Sequence, residues 1–304
     1  MFLMEAMHWH HFRVELQQLR YAVAVAEERS FTRAAERCFV VQSALSHQIK
    51  ALEGEIGVRL FARNSRRVEL TPAGEAFVAS ARESLRAAER AVVDAAAAEG
   101  EVRGVLSLGM IPTVGAVDVP ALLADFHAAH PAVRVRLRSG NSEEFLADIR
   151  AGALDVAFLG LPEGAPPDGV GLRELSRESL VAVLPAQHRL AGRTRLALAD
   201  LADERFVDFP TGSSGRAQSD LAFSAAGLDR DVSFEVMSLP VIVDLIERGL
   251  AVGLLSASVL PADSSIVTAA LTDGPRRVEY LAWDAFNPNP AAVAFLALVA
   301  KQSA

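Results

Sequence analysis

The sequence predicts an α/β protein preceded by an all-helical front end, and three observations carry that prediction. Apolar residues recur at steps of three and four from Leu16 to the neighbourhood of Glu99, the period of amphipathic helices. From Gly104 onward, short apolar runs alternate with helical stretches, the signature of a mostly parallel sheet with covering helices. Charge divides at the same place. Residues 1–100 hold 13 Lys+Arg and 13 Asp+Glu, whereas the remaining residues hold 17 and 25 and carry the whole net charge of −8.

A chain of 304 residues with 51% hydrophobic and 22% charged residues has enough apolar matter for two cores and is not a disordered chain. The one cysteine, Cys38, excludes an intrachain disulfide framework. No apolar run approaches the ~20 residues of a membrane helix. Met1 to Arg13 lacks the basic, apolar and small-residue zones of a signal peptide. A cytoplasmic protein is expected, with no membrane partner and no bound metal or cofactor. His8, His10 and His11 could bind a metal, but without a nearby carboxylate or thiolate they make a weak site. Residues 1–13 are expected to be a disordered or non-native extension.

The elements follow in order. Leu16, Leu19, Val23 and Ala26 form one apolar stripe, so a helix is expected there. Ser30 and Thr32 offer N-cap oxygens to a second, short helix that ends near Cys38-Phe39. After a brief Val40-Val41 turn, a third helix runs from about Gln42 to Glu53. Leu45, Ile49 and Leu52 face inward, and Gln42, Ser43, Ser46, His47 and Lys50 lie opposite. Gly54 and Gly57 are expected to break it. Val58 to Phe61 and Val68 to Leu70 read as two short strands around the polar turn Arg63-Asn64-Ser65-Arg66-Arg67. Thr71-Pro72 is a helix start, with Thr as N-cap and Pro in the first turn. The helix it opens, to Glu99, is ~40 Å long at 1.5 Å per residue. Phe77, Ala81, Leu85, Ala88, Val92 and Ala95 give it a narrow apolar seam suited to a second copy of the chain, with packing on its own chain as the alternative. Beyond the linker at Gly100 to Gly104, strands are expected at 105–109, 133–137, 154–159, 180–184, 206–209, 232–236, 251–255 and 277–283. Helices are expected at 119–129, 142–151, 213–225, 240–248 and 291–301.

Three short helices with a tight turn before the third, followed by a basic hairpin, make a winged helix-turn-helix. Arg29 to Arg67 holds 8 basic residues against 3 acidic ones, which suits a polyanion on an otherwise acidic chain. A solvated helical surface is the plainer account of that charge. A helix fits the DNA major groove, where Gln, Ser, Lys and His reach base edges or phosphates. Arginines on the hairpin can hold flanking phosphates.

The run Ser30-Phe31-Thr32-Arg33-Ala34-Ala35, then Ala44-Leu45-Ser46, Gln48-Ile49, Leu52-Glu53, Gly57-Val58, Leu60-Phe61 and Leu70-Thr71-Pro72-Ala73-Gly74 resembles the DNA-binding region of LysR-type transcriptional regulators. The likeness covers Leu16 to about Phe77 closely and the rest of the chain in length and strand order. It implies a homodimer or homotetramer that binds double-stranded promoter DNA and acts on RNA polymerase. Carried over by position, Gln42, Ser43, Ser46, His47 and Lys50 lie on the recognition helix, Arg63, Arg66 and Arg67 on the wing, and Thr32 and Arg33 near phosphates. Two departures stand out. Val41 occupies a position usually held by Ser or Thr, and losing that cap costs about 0.5–2 kcal/mol. His47 stands where Arg is common, and an imidazole grips phosphate less well than the forked guanidinium does.

The same resemblance implies that residues 104–304 form two α/β lobes of the periplasmic-binding-protein type. The chain would cross between them near Leu159-Gly160-Leu161-Pro162 and return near Ile266 to Leu271. The expected division is 14–71 for the winged domain, 72–103 for the dimerisation helix and hinge, and 104–304 for the effector domain. Within the last, 104–160 with 272–304 forms one lobe and 161–271 the other. Hydroxyls at strand-to-helix turns mark a candidate effector site: Thr113 and Val114, Asn141 and Ser142, Thr211, Ser213 and Ser214, and Ser238. With free helix N–H groups they suit a small, carboxylate-bearing molecule; plain N-capping is the competing explanation for each. Thr211-Gly212-Ser213-Ser214-Gly215 lacks the Gly-Lys-Ser/Thr ending of a phosphate loop, and no Gly-x-Ser-x-Gly elbow occurs. A non-enzyme is therefore expected. The alternative is a cytoplasmic small-molecule-binding protein or an enzyme on the same α/β scaffold.

Overall fold

The computed structural model describes residues 14–63, 68–164 and 166–302, with Arg63 through its backbone. The chain divides into two compact units, residues 1–95 and 96–304.

The first unit runs α1 (Leu16–Glu28), α2 (Phe31–Arg37), α3 (Gln42–Ile56), β1 (Phe61–Arg63), β2 (Val68–Leu70) and the start of α4 (Pro72–Ala98). Its core is the inward face of each helix: Ala22 and Val25, Ala34 and Ala35, Leu45, Ile49 and Leu52, closed by Leu60 and Phe61. Ser30 caps α2 by accepting the Arg33 N–H at 3.3 Å. Glu53, on the last turns of α3, accepts the Leu60 and Phe61 N–H groups at 2.8 and 3.2 Å and so orients the hairpin. Thr71 caps α4, accepting the Gly74 N–H at 3.0 Å while its hydroxyl donates to the Arg59 carbonyl at 2.7 Å. α4 then crosses the backbone so closely that a Cβ on Gly74 would stand 2.0 Å from the Leu60 oxygen.

The second unit holds β3 (Gly104–Met110), α5 (Val119–Ala129), β4 (Val133–Ser139), α6 (Ser142–Arg150), β5 (Val156–Pro162), β6 (Gly171–Ser179), β7 (Val181–Pro185) and β8 (Arg195–Leu196). After a 3₁₀ turn at Leu198–Leu201 come β9 (Arg205–Asp208), α7 (Ser214–Ala225), β10 (Asp231–Glu235), α8 (Leu239–Glu247) and β11 (Gly253–Leu255). A second 3₁₀ turn at Ala257–Val259 precedes β12 (Ile266–Leu271), β13 (Arg276–Trp283) and α9 (Pro290–Gln302). A five-stranded sheet in the order β4-β3-β5-β13-β6 forms the first lobe. Phe126, Phe158 and Phe295 pack edge to face under it. The second lobe has a four-stranded sheet, β11-β7-β12-β8, and the parallel pair β10-β9, linked by a bridge from Phe206 to Val252.

Several expectations are corrected. The sheets are mixed, not mostly parallel: β13 runs antiparallel to β5 and β6, and β7 antiparallel to β11 and β12. Both reversals arise where the chain passes between lobes, an event that local periodicity does not record. β6 went unread because Gly171–Ser179 is rich in charge. It is an edge strand, where one side of the ladder is open and charged side chains are tolerated. Since β6 belongs to the first sheet, the chain crosses at Leu180, not near residues 159–162, and returns through residues 272–275. The two crossings touch, the Leu180 N–H donating to the Pro275 carbonyl at 2.9 Å. α3 passes through Gly54 and ends only at Gly57, whose φ of 74° terminates it. The first hairpin strand lies at Phe61–Arg63, not at residues 58–61.

Candidate nucleic-acid interface and effector cleft

α3 presents two opposed faces. Leu45, Ile49 and Leu52 are fully buried, whereas Gln42, Ser43, His47 and Lys50 are exposed and Ser46 is half-buried. The helix N-terminus has no side-chain cap, because Val41 offers no oxygen to its first-turn N–H groups. Thr32 is exposed on α2. Arg33 is held on its own domain: its Nε lies 3.3 Å from Glu28 Oε2, and its guanidinium also donates to the Glu28 carbonyl. Such an exposed pair is weak and opens readily for a stronger anion. Arg37 is held similarly by Glu27 at 2.6 Å. Arg66, Arg67 and the side chain of Arg63 lie outside the described residues, as do His8, His10 and His11.

In the second unit a cleft enclosing about 490 Å³ of empty space, its open mouth included, lies where the two lobes meet. The C-terminal ends of β3, β4 and β5 supply Ile111-Pro112-Thr113, Gly140-Asn141 and Gly160. The N-termini of α6 and α7 supply Ser142 and Ser213-Ser214-Gly215, and the opposite wall is Leu180, Phe209, Met237 and Leu254-Leu255-Ser256. Thr113, Asn141, Ser142, Ser213 and Ser214 all line this cleft. Val114, Thr211 and Ser238 are not among the lining residues. Val114 packs into the first lobe's cores, and the Thr211 hydroxyl donates to Glu235 at 2.8 Å. Ser238 precedes α8, but its neighbour Met237 faces the cleft instead.

Capping and lining coincide at several positions. Asn141 accepts the Glu144 N–H at 2.8 Å and Ser213 the Arg216 N–H at 3.4 Å. The buried Ser142 hydroxyl is bonded to both the carbonyl and the N–H of Gly160, at 3.2 and 3.1 Å. Ser214 donates to Glu143.

The charged member of the lining, Arg277, was missed by sequence reasoning, as was Gln218. Arg277 is the second residue of β13, beside the lobe crossing. Its Nε donates to Glu178 at 2.7 Å, and its terminal nitrogens donate to the Thr113 hydroxyl and carbonyl and to Glu279. Glu178 in turn accepts the Ser256 hydroxyl at 2.5 Å. Burial pushes the Glu279 carboxyl above its usual range, a shift that Arg277 and the backbone N–H groups of Ala116 and Gly115 resist. The available signal was Arg277 and Glu279, two residues apart and hence on one face, in a strand whose residues beyond Arg276 are otherwise apolar or aromatic.

Residues 16–75 match the bacterial regulatory helix-turn-helix family of the lysR type, and residues 99–304 match the LysR substrate binding domain. The chain belongs to the LysR family of transcriptional regulators. Its LysR relatives include the hydrogen peroxide-inducible genes activator of Pectobacterium carotovorum subsp. carotovorum, 34% identical over 82% of each chain. The DNA-binding transcriptional dual regulator OxyR of Escherichia coli K12 is 32% identical over 90% of this chain and 91% of its own. Among solved LysR structures, a full-length OxyR variant from Pseudomonas aeruginosa superposes with a TM-score of 0.69 at 30% identity, covering 93% of both chains. Full-length CbnR complexed with target DNA gives 0.68 at 28% identity over 96% of this chain and 100% of that one. The protein is therefore a LysR-type regulator with a helix-turn-helix and a two-lobed effector domain. Among the described residues no helix is long and apolar enough to cross a membrane.

Proposed function

We propose that α3 enters the major groove of promoter DNA, with Gln42, Ser43 and Ser46 directed to base edges and His47 and Lys50 to phosphate. Thr32 and Arg33 on α2, and Arg63, Arg66 and Arg67 on the wing, hold flanking phosphates. The observation that carries this reading is the division of α3 into a buried Leu45/Ile49/Leu52 face and an exposed polar one. The seam of α4 pairs with a second copy of the chain, supported by Val92 at 61% exposed. The regulator works in the cytoplasm, without a catalytic step of its own, by altering RNA polymerase access.

The cleft takes a small effector with an apolar body against Phe209, Met237 and Leu254 and an anionic or hydrogen-bonding head at the N-termini of α6 and α7. A carboxylate fits that head. Hydrogen peroxide sensing by a thiol in the cleft does not suit this chain. Its one cysteine, Cys38, closes α2 in the first unit, and burial pushes its thiol up, away from the reactive thiolate. Effector binding shifts the lobes and thereby the spacing of the DNA-binding heads.

Titration of promoter binding against salt tests the first part. Log K is expected to fall with log[salt] at a slope of about −0.9 per neutralised phosphate; a flat response sinks the docking reading. Footprints with and without effector test the second, and identical contacts and bend would refute the coupling.

A further inference from the structure

The turn between α2 and α3 carries two apolar side chains whose placement weakens the fold. α2 closes with the Phe39 N–H on the Glu36 carbonyl at 3.1 Å and the Val40 N–H on the Ala35 carbonyl at 3.0 Å. That pairing forces the residue after the cap into the left-handed region, where glycine is favoured. Phe39 stands there with φ 55°. Burial would offset the strain, yet Phe39 is 96% exposed. Two residues on, Val41 occupies the N-cap of α3 without supplying a cap bond and is 68% exposed. Their neighbours Cys38 and Val40 pack on the core of the unit, so the pair alternates outward. The result is an apolar edge immediately ahead of Gln42 and Ser43.

This edge is continuous with the polar face of α3. The segment leading into a recognition helix lies at the rim of the major groove, and the apolar feature of that groove is the C5-methyl of thymine. A protein partner is the poorer fit, because two side chains bury far less than a stable interface requires. We infer that Phe39 and Val41 are specificity-determining residues that contact thymine methyl groups beside the bases reached by Gln42 and Ser43. The inference rests on the docking of α3 proposed above.

The test uses the full chain. Wild-type protein selects a duplex from a random-sequence pool. Wild type, Phe39→Gly and Val41→Ser are then titrated with that duplex and with the same duplex carrying deoxyuridine in place of thymidine. Wild type is expected to lose about fourfold in affinity per contacted methyl on the exchange. Each variant is expected to bind the thymine duplex more weakly, to discriminate less, and to unfold at or above the wild-type temperature. Equal wild-type affinity for the two duplexes, or variants as tight and as discriminating as wild type, would overturn the assignment. Unchanged DNA binding with a loss of oligomer in sedimentation would place the edge at a protein interface and also overturn it. Failure of the wild type to select any duplex would instead refute α3 docking itself.

Discussion

Arg277 grips Thr113 twice, donating to its hydroxyl and to its carbonyl at 2.8 Å each, across 164 positions of sequence. The contact joins the strand that returns between the lobes to the first strand-to-helix turn of the effector domain. Glu178 and Glu279 complete the grip, so the guanidinium is both an ion-pair partner and part of the cleft wall.

Arg277→Met should therefore destabilise the effector domain by about 3–5 kcal/mol, because it leaves buried carboxylate without its partner. Urea unfolding followed in that domain measures the loss. Adding Glu279→Gln to the variant should recover part of it, whereas simple additivity of the two changes would show that the charges are not coupled.

Glu279 has a raised carboxyl pKa in the fold, so the native state holds this proton more tightly than the unfolded chain does. The sign follows: its contribution is most favourable below the ordinary glutamate value of 4.5 and is lost as pH rises from there through the folded value. Glu279→Gln removes that dependence. Thermal melts over a pH series should show the variant gaining on wild type as pH rises above 4.5; a constant difference would contradict the linkage.

Gly74→Ala should destabilise the helix-turn-helix by about 2 kcal/mol or more. The new Cβ would meet the Leu60 carbonyl oxygen at 2.0 Å, a backbone atom that cannot swing aside. Chemical denaturation read from the N-terminal unit is the check, and a neutral result would require α4 to shift.

Lys50 and Gln42 should separate in their effects. Lys50→Ala is expected to weaken all duplexes alike and reduce the magnitude of the salt slope by about 0.9. Gln42→Ala should leave the slope unchanged and relax preference at one base pair by about 1–3 kcal/mol. Binding isotherms at several salt concentrations on matched and mismatched duplexes distinguish them.

Val92→Glu should convert the assembly toward monomers without lowering the melting temperature of the N-terminal unit, since Val92 is exposed there. Sedimentation at several protein concentrations measures this, and an unchanged oligomer would remove the distal seam of α4 from the interface.

What the sequence alone determined was whatever depends on neighbours a few positions apart. The inward spacing of Leu45, Ile49 and Leu52 by itself places the polar residues of α3 on the opposite face. Thr71-Pro72 marked the start of α4, and Val119–Ala129 was legible to the residue. The hydroxyl-bearing turns at Thr113, Asn141-Ser142 and Ser213-Ser214 were legible too, because helix starts have local chemistry. Tertiary structure alone decided which of those turns meet. Ser238 and Thr211 sit at equally plausible turns, yet the lobe geometry leaves both out of the cleft. It also drew in Arg277 and Gln218, and it moved β6 into the first sheet and the crossing to Leu180. Pairing across 100 or more positions is set by which buried surfaces and charges satisfy one another in the folded chain, and a one-dimensional pattern does not encode that choice.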